Sequence, residues 1–541
     1  MFLGQEHTAE RHHPQRIDGR GKNSQLPKHL SFDEIPWKKF RNVPLDYLPL
    51  CNMGSKAPGI YPCLDNLQFN NLYYQHLRLR KQDTDIYLYS AFHDHRNESK
   101  IRIFGMIIGP EKSVPTLKCK FYEGNQTYGF REGQFKVFYH EIQLGWPVPF
   151  TLKCALKEGE PIPDAVSVLP SEADEPVNIL KVFQRDEKTL SNESHAVSLC
   201  VRQLYFVQDL SYLLTEWLEI LKSMEVGKVF AYGLQTHPNM ERVLEFYEDQ
   251  FKVFFHEIQL GWPVPFTLKC GLKEGEPIPN AVSVLPSEAD EPVNILKVFQ
   301  RDEKTMSNES HAVSCGGFVD YIPITFPGTQ PNIPGPNGPF LPRNENFHRG
   351  FYHLQLNDCL YRSLVQGYEY VSVMDVDEMI APNPENRSWP RLMQSLVPKN
   401  PDWDCYYFQT RIILMEEGET TGWKQDYTIK LRQTKAAEFP KESSRVGKSI
   451  CTTEKQEIMS NHFSEICYPG DRPCAMFVAP TDFGELYHYG KCWVGNCTGS
   501  GGNATCDGQS CDVVQKSSLL AHKDSVRQGV FDTLLRLNLL P

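Results

Sequence analysis

One block of this chain is written twice. Residues 135–198 (FKVFYHEIQLGWPVPF…SNESHAVS) recur at 251–314 with four differences: Tyr139/Phe255, Ala155/Gly271, Asp164/Asn280 and Leu190/Met306. Two copies this alike specify the same β pairings, so they compete for one slot in the fold. Two units are also too few for a solenoid, which buries its faces only with about three or more stacked repeats. The first copy runs on naturally from the strand-like IYLYSAF and KIRIFGMIIG. The second interrupts a helical stretch, HPNMERVLEFYEDQ at 237–250, and the thread resumes at GGFVDYIPITFPG from Gly316. Excising 251–315 rejoins helix to strand through Gly316-Gly317, an ordinary αβ connection. The second copy is therefore read as a recent exon-scale duplication or gene-assembly error inside a domain that is otherwise continuous.

Around that interruption the chain divides simply. Residues 1–80 are polar and punctuated by proline, and read as a stem or disordered lead. Residues 81–198 alternate apolar and polar in short runs between Gly, Pro and Asn, which predicts a small β-rich domain. From Ala196 strand and helix alternate: AVSLCV, then LSYLLTEWLEILKSM at helical spacing, KVFAYGL, the broken helix, GFVDYIPI, LNDCLYRSLVQGY and YVSVMDVDEMI. That order predicts an α/β sheet with helices on its faces over 199–541, interrupted by 251–315. Ligands of such sheets sit beyond the carboxyl ends of the strands.

At one of those ends stand Asp375 and Asp377. Successive residues of a strand alternate faces, so the two carboxylates are expected to point the same way while Val376 turns inward. Like charges on one face call for a cation between them. Mg²⁺ and Mn²⁺ favour a few carboxylates plus substrate phosphates over an all-protein cage. The competing reading is an acidic turn ending a strand.

Charge and cysteine use bound the partners. Lys+Arg of 56 against Asp+Glu of 67 leaves −11, with no basic run, so neither nucleic acid nor an anionic membrane surface is an expected partner. Asn-x-Ser/Thr sequons occur at Asn97, Asn125, Asn192, Asn308, Asn386, Asn496 and Asn503, and there are 16 cysteines. Glycosylation and disulfides share a compartment, which makes Cys492, Cys497, Cys506 and Cys511 better disulfide partners than zinc ligands. Cys467 and Cys474 bracket a short Pro-Gly loop as another candidate clasp. No apolar run of eighteen residues is present, so the luminal reading requires an anchor absent from this sequence.

Taken together, SLCVRQLYF, MEVGKVFAYGLQTHPNMERVLEFYE, LNDCLYR, VMDVDEMIAP and the late ELYHYGKC resemble glycosyltransferase family 92, the former domain-of-unknown-function 23 group, over about 196–250 and 315–530. The resemblance implies a GT-A fold, a nucleotide-sugar donor such as UDP-galactose, Mn²⁺, inversion at the anomeric carbon, a glycan acceptor on glycoprotein or glycolipid, and a Golgi membrane protein facing the lumen. It assigns Asp375 and Asp377 to the metal and adds His488 as a third ligand. It places Asp358 and Tyr232 at the donor, the latter at the base, while Lys448 is a candidate phosphate contact. One departure stands out: Gly490 separates the His-Tyr pair from the basic Lys491 expected directly after it.

An inverting transfer also needs a carboxylate to take the acceptor proton. Glu416 and Glu417, after CYYFQTRIILM, are candidates by position. The sequence thus supports a metal-dependent hexosyltransferase. The alternative from another class is an inactive luminal carbohydrate-binding or scaffolding relative, disrupted by 251–315.

Overall fold

The computed structural model describes residues 41–49, 51, 59–70, 73–79, 84–138, 147–185, 196–248, 317–327, 345–414, 428–438, 447–462, 464–490, 503–506 and 509–540, with four backbone strands inside the second copy. The N-terminal part is β-rich. Strands β1 (Gln75–Arg78), β2 (Asp85–Asp94), β3 (Lys100–Ile108), β4 (Lys118–Glu123), β5 (Gln126–Val137), β6 (Val148–Ala155), β7 (Ala165–Leu169) and β8 (Leu180–Phe183) form one sheet in the order 1-2-3-6-5-4-7-8. Because β8 pairs back onto β2, Ala91 opposite Val182, the sheet closes on itself and most of its strands have no free edge. Alternation sorts its side chains: Ile101 and Ile103 point into the enclosed core with Leu88 and Leu152, whereas Phe104 and Met106 pack outward.

The second part begins inside the stretch assigned to the first. Strand β9 (Val197–Phe206) starts before residue 199 and belongs wholly to the next sheet, so the expected boundary at 198 falls within a strand. After it come α1 (Ser211–Ser223), β10 (Lys228–Thr236) and α2 (Pro238–Glu248). In the second copy lie β11 (Phe254–Gln259), β12 (Trp262–Thr267), β13 (Ala281–Val284) and β14 (Asn294–Lys297). The main thread continues with β15 (Val319–Pro323), α3 (Glu345–Val365), β16 (Tyr370–Met374), β17 (Glu378–Pro382), α4 (Trp389–Leu396), β18 (Cys405–Phe408), β19 (Thr410–Leu414), α5 (Ile429–Arg432), β20 (Lys435–Glu438), β21 (Lys448–Thr452), β22 (Gln456–Met459), β23 (Ser464–Cys467), β24 (Met476–Val478), β25 (Gly484–Gly490), β26 (Asn503–Cys506), β27 (Gln509–Gln515) and α6 (Lys523–Arg536).

Seven of these strands build the central sheet in the order 15-10-9-16-21-18-24. The first four are mutually parallel, and β21 joins β16 antiparallel. Helices cover both faces, as the alternating sequence predicts. Leu199, Val201, Val229 and Ala231 pack with α1 and α2, while Cys200, Phe230 and Tyr232, one residue out of phase, pack with α3. From β9 the chain crosses to β10 on one side and later returns to place β16 on the other. The gap between β9 and β16 is therefore a topological switch point, where α/β sheets open a crevice.

The N-terminal sheet and the central sheet share one hydrophobic core. Tyr89, Phe92, Phe104 and Met106 pack with Phe351, Leu360 and Tyr361 of α3. The expectation of a stem over 1–80 also needs correction for its second half. Val43, Leu48, Tyr61, Leu64 and Phe69 are buried, Cys51 bonds Cys63, and β1 is part of the sheet. Short 3-10 turns and a disulfide hold this segment, and neither leaves a periodic pattern in sequence. Residues 1–40 lie outside the described residues.

Among the described residues the strands of the second copy pair only within the copy, β11 with β12 (Phe254 opposite Thr267) and β13 with β14. Ala281 opposite Lys297 and Val282 opposite Leu296 reproduce Ala165 opposite Lys181 and Val166 opposite Leu180 of the first copy. None of β11 to β14 joins either large sheet among the described residues. The central sheet is continuous across the interruption, with Val229 opposite Val319.

Candidate active site

The chain turns sharply where β16 ends. Asp375 and Asp377 lie on this turn, not along a strand, so the alternation expected to align them does not apply. The Asp375 carbonyl accepts the Glu378 N–H at 3.0 Å, and the Glu378 carboxylate accepts the Asp375 N–H at 3.0 Å, which locks the turn from both sides. The Tyr489 N–H then donates to the Asp377 carbonyl at 2.8 Å, and β17 pairs with β25 with Glu378 opposite His488. This stitching brings a histidine distant in sequence beside the turn: His488 Nε2 lies 3.6 Å from Asp377 Oδ2.

Asp375 faces a different partner. The parallel register sets Met374 opposite Val201, so the next residue on β9, Arg202, reaches across the switch point. Its guanidinium grips both carboxylate oxygens of Asp375, Nε to Oδ1 at 2.5 Å, and lies over the Tyr352 ring at 5.5 Å. Lys448 is fully buried, with Nζ 2.7 Å from Asn461 Oδ1, 3.0 Å from Glu378 and 3.8 Å from Asp375. Its donors are directed at the carboxylates and the amide, behind the turn instead of at open space.

These charges set the protonation states. Burial disfavours the Asp375 carboxylate, but Lys448 and Arg202 outweigh it and hold the group at about 2. For Glu378 burial prevails over Lys448, aided by Asp375, and its carboxyl is pushed up. Burial also opposes charge on His488, yet Asp377, Glu378 and Asp375 together raise its imidazole above the ordinary histidine value. His462, whose Nδ1 faces the Gly447 carbonyl at 3.1 Å, is driven down to about 4 by burial and by Lys448.

Two donor-site assignments are overturned. Tyr232 and Asp358 are both fully buried on the α3 side of the sheet, where the tyrosine hydroxyl donates to Asp358 at 2.6 Å and Arg362 Nε donates to the same carboxylate at 2.7 Å. Their polar atoms satisfy one another within the core that joins the two sheets, out of reach of a donor. Asp358 lies in the interior of α3.

Other sequence candidates divide by position. The Cys467–Cys474 clasp is formed. Asn97 and Asn125 are exposed, and Asn386 is half-buried. The backbones of Asn503, Cys506 and Cys511 lie on the hairpin of β26 and β27. Glu416, Glu417, Asn192, Asn308, Asn496, Cys492 and Cys497 lie outside the described residues.

Sequence reasoning missed Arg202 and Glu378. A single arginine interrupting the apolar strand SLCV was the available signal for the first. The acid directly following Asp377 was the signal for the second. It also missed the disulfides Cys119–Cys154, Cys200–Cys359 and Cys405–Cys451, as well as Cys51–Cys63.

Residues 314–512 match the family model for glycosyltransferase family 92. The matched segment contains Asp375, Asp377, Glu378, Lys448 and His488, and excludes Arg202 and the β-rich sheet. No curated protein matches the chain.

Proposed function

We propose that this chain, whose residues 314–512 match the family model for glycosyltransferase family 92, moves a hexose from a nucleotide sugar to a glycan acceptor with inversion, in a GT-A-type domain. UDP-galactose is the donor we favour, and the luminal face of the Golgi membrane is the place. Disulfides and exposed sequons support an oxidising, glycosylating compartment. The observation that carries the reading is the meeting of Asp377 and His488 at the switch point of a largely parallel sheet, where such sheets bind ligands.

The residues fit a divalent cation in part. Asp377 oxygen and His488 nitrogen present two donors on one side of the turn, a set that suits Mn²⁺, with Mg²⁺ the harder alternative. Asp375 is committed to Arg202, and among the described residues it does not close with Asp377 and His488 into a single cluster of adjacent ligand atoms. The proposed ligands are therefore Asp377 and His488, with Asp375 joining only if Arg202 releases it. When bound, the cation supplies Lewis-acid stabilisation of the departing diphosphate.

The protein's own groups do the rest. Arg202 and Lys448 keep Asp375 ionised, so the turn retains negative charge at neutral pH. Trp217 Nε1 donates to the Glu378 carbonyl at 2.8 Å and Trp389 Nε1 to the Ile380 carbonyl at 2.9 Å, fixing the strand that leaves the turn. A carboxylate of Glu416 or Glu417 is assigned to take the acceptor proton.

The test is donor turnover by the purified chain with UDP-galactose and other UDP-hexoses. Transfer is expected to require Mn²⁺ and to fall at least about a hundred-fold in Asp377→Asn, the range typical for losing one electrostatic catalytic contact, with an unchanged circular dichroism spectrum. Full activity in excess chelator, or a wild-type rate in Asp377→Asn, overturns the metal assignment.

A further inference from the structure

Well apart in sequence from the carboxylate turn, the outer face of the N-terminal sheet meets residues of 457–471 across a cavity of about 420 Å³. That volume is within the range of sites for small organic ligands. Gln134, Lys153 and Arg102 form a row on its floor, since Gln134 and Arg102 are each paired with Lys153 in the strand registers. Glu457, Tyr468 and Asp471 face them from the catalytic part, two of them within or beside the Cys467–Cys474 clasp.

Three buried polar atoms around this cavity have no hydrogen-bond partner among the described residues. Arg102 is fully buried and gives Nη1 to Glu457 at 2.8 Å and Nη2 to Asp94 at 3.1 Å, but its Nε is unused. Glu457 accepts Lys153 on Oε1 at 2.6 Å, while its Oε2 accepts no hydrogen bond. The Tyr468 hydroxyl is the third. A donor, an acceptor and a group that can be either are thus left around one space, and a buried polar group left without a partner costs stability.

The surrounding charges narrow what completes them. Lys153 lies 3.9 Å from Asp471 as well as beside Glu457, and Lys136 holds Asp471 at 2.6 Å. Cations and carboxylates already neutralise one another, so an anionic or cationic ligand would displace an existing pair. A hydroxyl both donates and accepts, and a ring bearing several can bridge all three atoms without adding charge.

We propose that this cavity is a carbohydrate-binding cleft, distinct from the transfer site, that takes a neutral hexose unit of a glycan. Two sources share that chemistry. The sugar is either an external glycan or the chain's own glycan on Asn97, an exposed residue next to Glu98, which lines the cavity. Such a cleft needs no nucleotide sugar and would bind its ligand whether or not the chain is a transferase.

Saturation-transfer NMR on the full chain tests it, with lactose, N,N′-diacetylchitobiose and mannobiose as probes, in wild type, Asn97→Gln, Tyr468→Phe, Lys153→Met and Asp377→Asn. Saturation transfer to at least one disaccharide is expected, reduced five-fold or more by Tyr468→Phe and by Lys153→Met, each made in the responding background, and retained in Asp377→Asn. A response in wild type means an external glycan. A response only in Asn97→Gln means that the chain's own glycan fills the cleft. Absence of response in both chains, a response that neither Tyr468→Phe nor Lys153→Met diminishes, or one that Asp377→Asn abolishes, overturns the proposal. Loss of Mn²⁺-dependent turnover would overturn the transferase reading and leave this one standing.

Discussion

At the scale of single residues, His488 and Arg202 carry the sharpest expectations. The carboxylates around His488 raise its pKa above the ordinary histidine value, so a proton competes with a metal for its nitrogen to higher pH than on a free imidazole. Metal binding must release that proton, and affinity therefore rises with pH through the raised value. Titration calorimetry with Mn²⁺ between pH 6 and pH 8 should show tighter binding at higher pH, and His488→Gln should bind more weakly with a flatter profile. A slope unchanged in the variant would mean that another group holds the metal. Arg202 is a second test, because its two-point grip on Asp375 is beyond a lysine. Arg202→Lys should lower kcat/KM about ten-fold or more with little change in the denaturation midpoint, and an unchanged kcat/KM would leave it a purely structural ion pair. The two acids stand out as a pair in sequence and His488 through the resemblance, but strand alternation misplaces the acids, which lie on a turn and face different partners, and nothing local to Asp375 announces Arg202, a partner that only a parallel register supplies. Tyr232 and Asp358 misled for a physical reason: an aromatic hydroxyl and a carboxylate look the same in sequence whether they face a ligand or each other.

Among the elements, α3 does more joining than its sequence suggests. Only its later half, LNDCLYRSLVQGY, shows helical spacing clear enough to read, because a helix covered by the central sheet on one side and the N-terminal sheet on the other has little polar face to contrast with an apolar one. Its buried polar residues are docking points. Asn357 donates to the Met459 carbonyl at 3.0 Å and accepts the Met459 N–H at 2.9 Å, completing the backbone of β22 from within the helix. Asn357→Leu keeps the shape and abandons both groups, so it should destabilise by about 3 kcal/mol, the sum expected for two buried backbone groups left unpaired. Equilibrium denaturation measures this directly, and a loss below about 0.5 kcal/mol would mean that water replaces the amide. The strands around α3 were easier to foresee, as each alternates or runs apolar between turn residues. The segment 41–80 was opaque for the opposite reason, being held by a disulfide and scattered apolar contacts without a period.

For the whole molecule, the decisive feature is how the main thread passes the second copy. Gly317 sits directly against the end of α2, where a β-carbon would collide with the carbonyl oxygens of Tyr247 and Glu248, and its own carbonyl accepts Lys228 Nζ at 2.5 Å. The two ends of the interruption are thus already in contact, and β15 pairs with β10 in regular register just beyond. Among the described residues the copy keeps pairings that need only its own residues, Phe254 with Thr267 and Ala281 with Lys297, and lacks the long-range partner that β6 finds in β3. Its absence should therefore leave the central sheet intact. Deleting 251–315, with Gln250 joined to Gly316, shortens the connection between Glu248 and Gly317 to a few residues. Loop-closure entropy falls only logarithmically with length, so the expected gain is modest, on the order of 2 kcal/mol. A larger effect is expected on yield, since duplicated strands that cannot find partners invite misassembly during folding. The deletion variant should show higher soluble expression, a raised thermal midpoint and transfer activity at or above that of the full chain. Failure of that variant to fold would show that the second copy supplies contacts the catalytic part requires, and the chain would then have to be understood as one integrated unit built around its repeat.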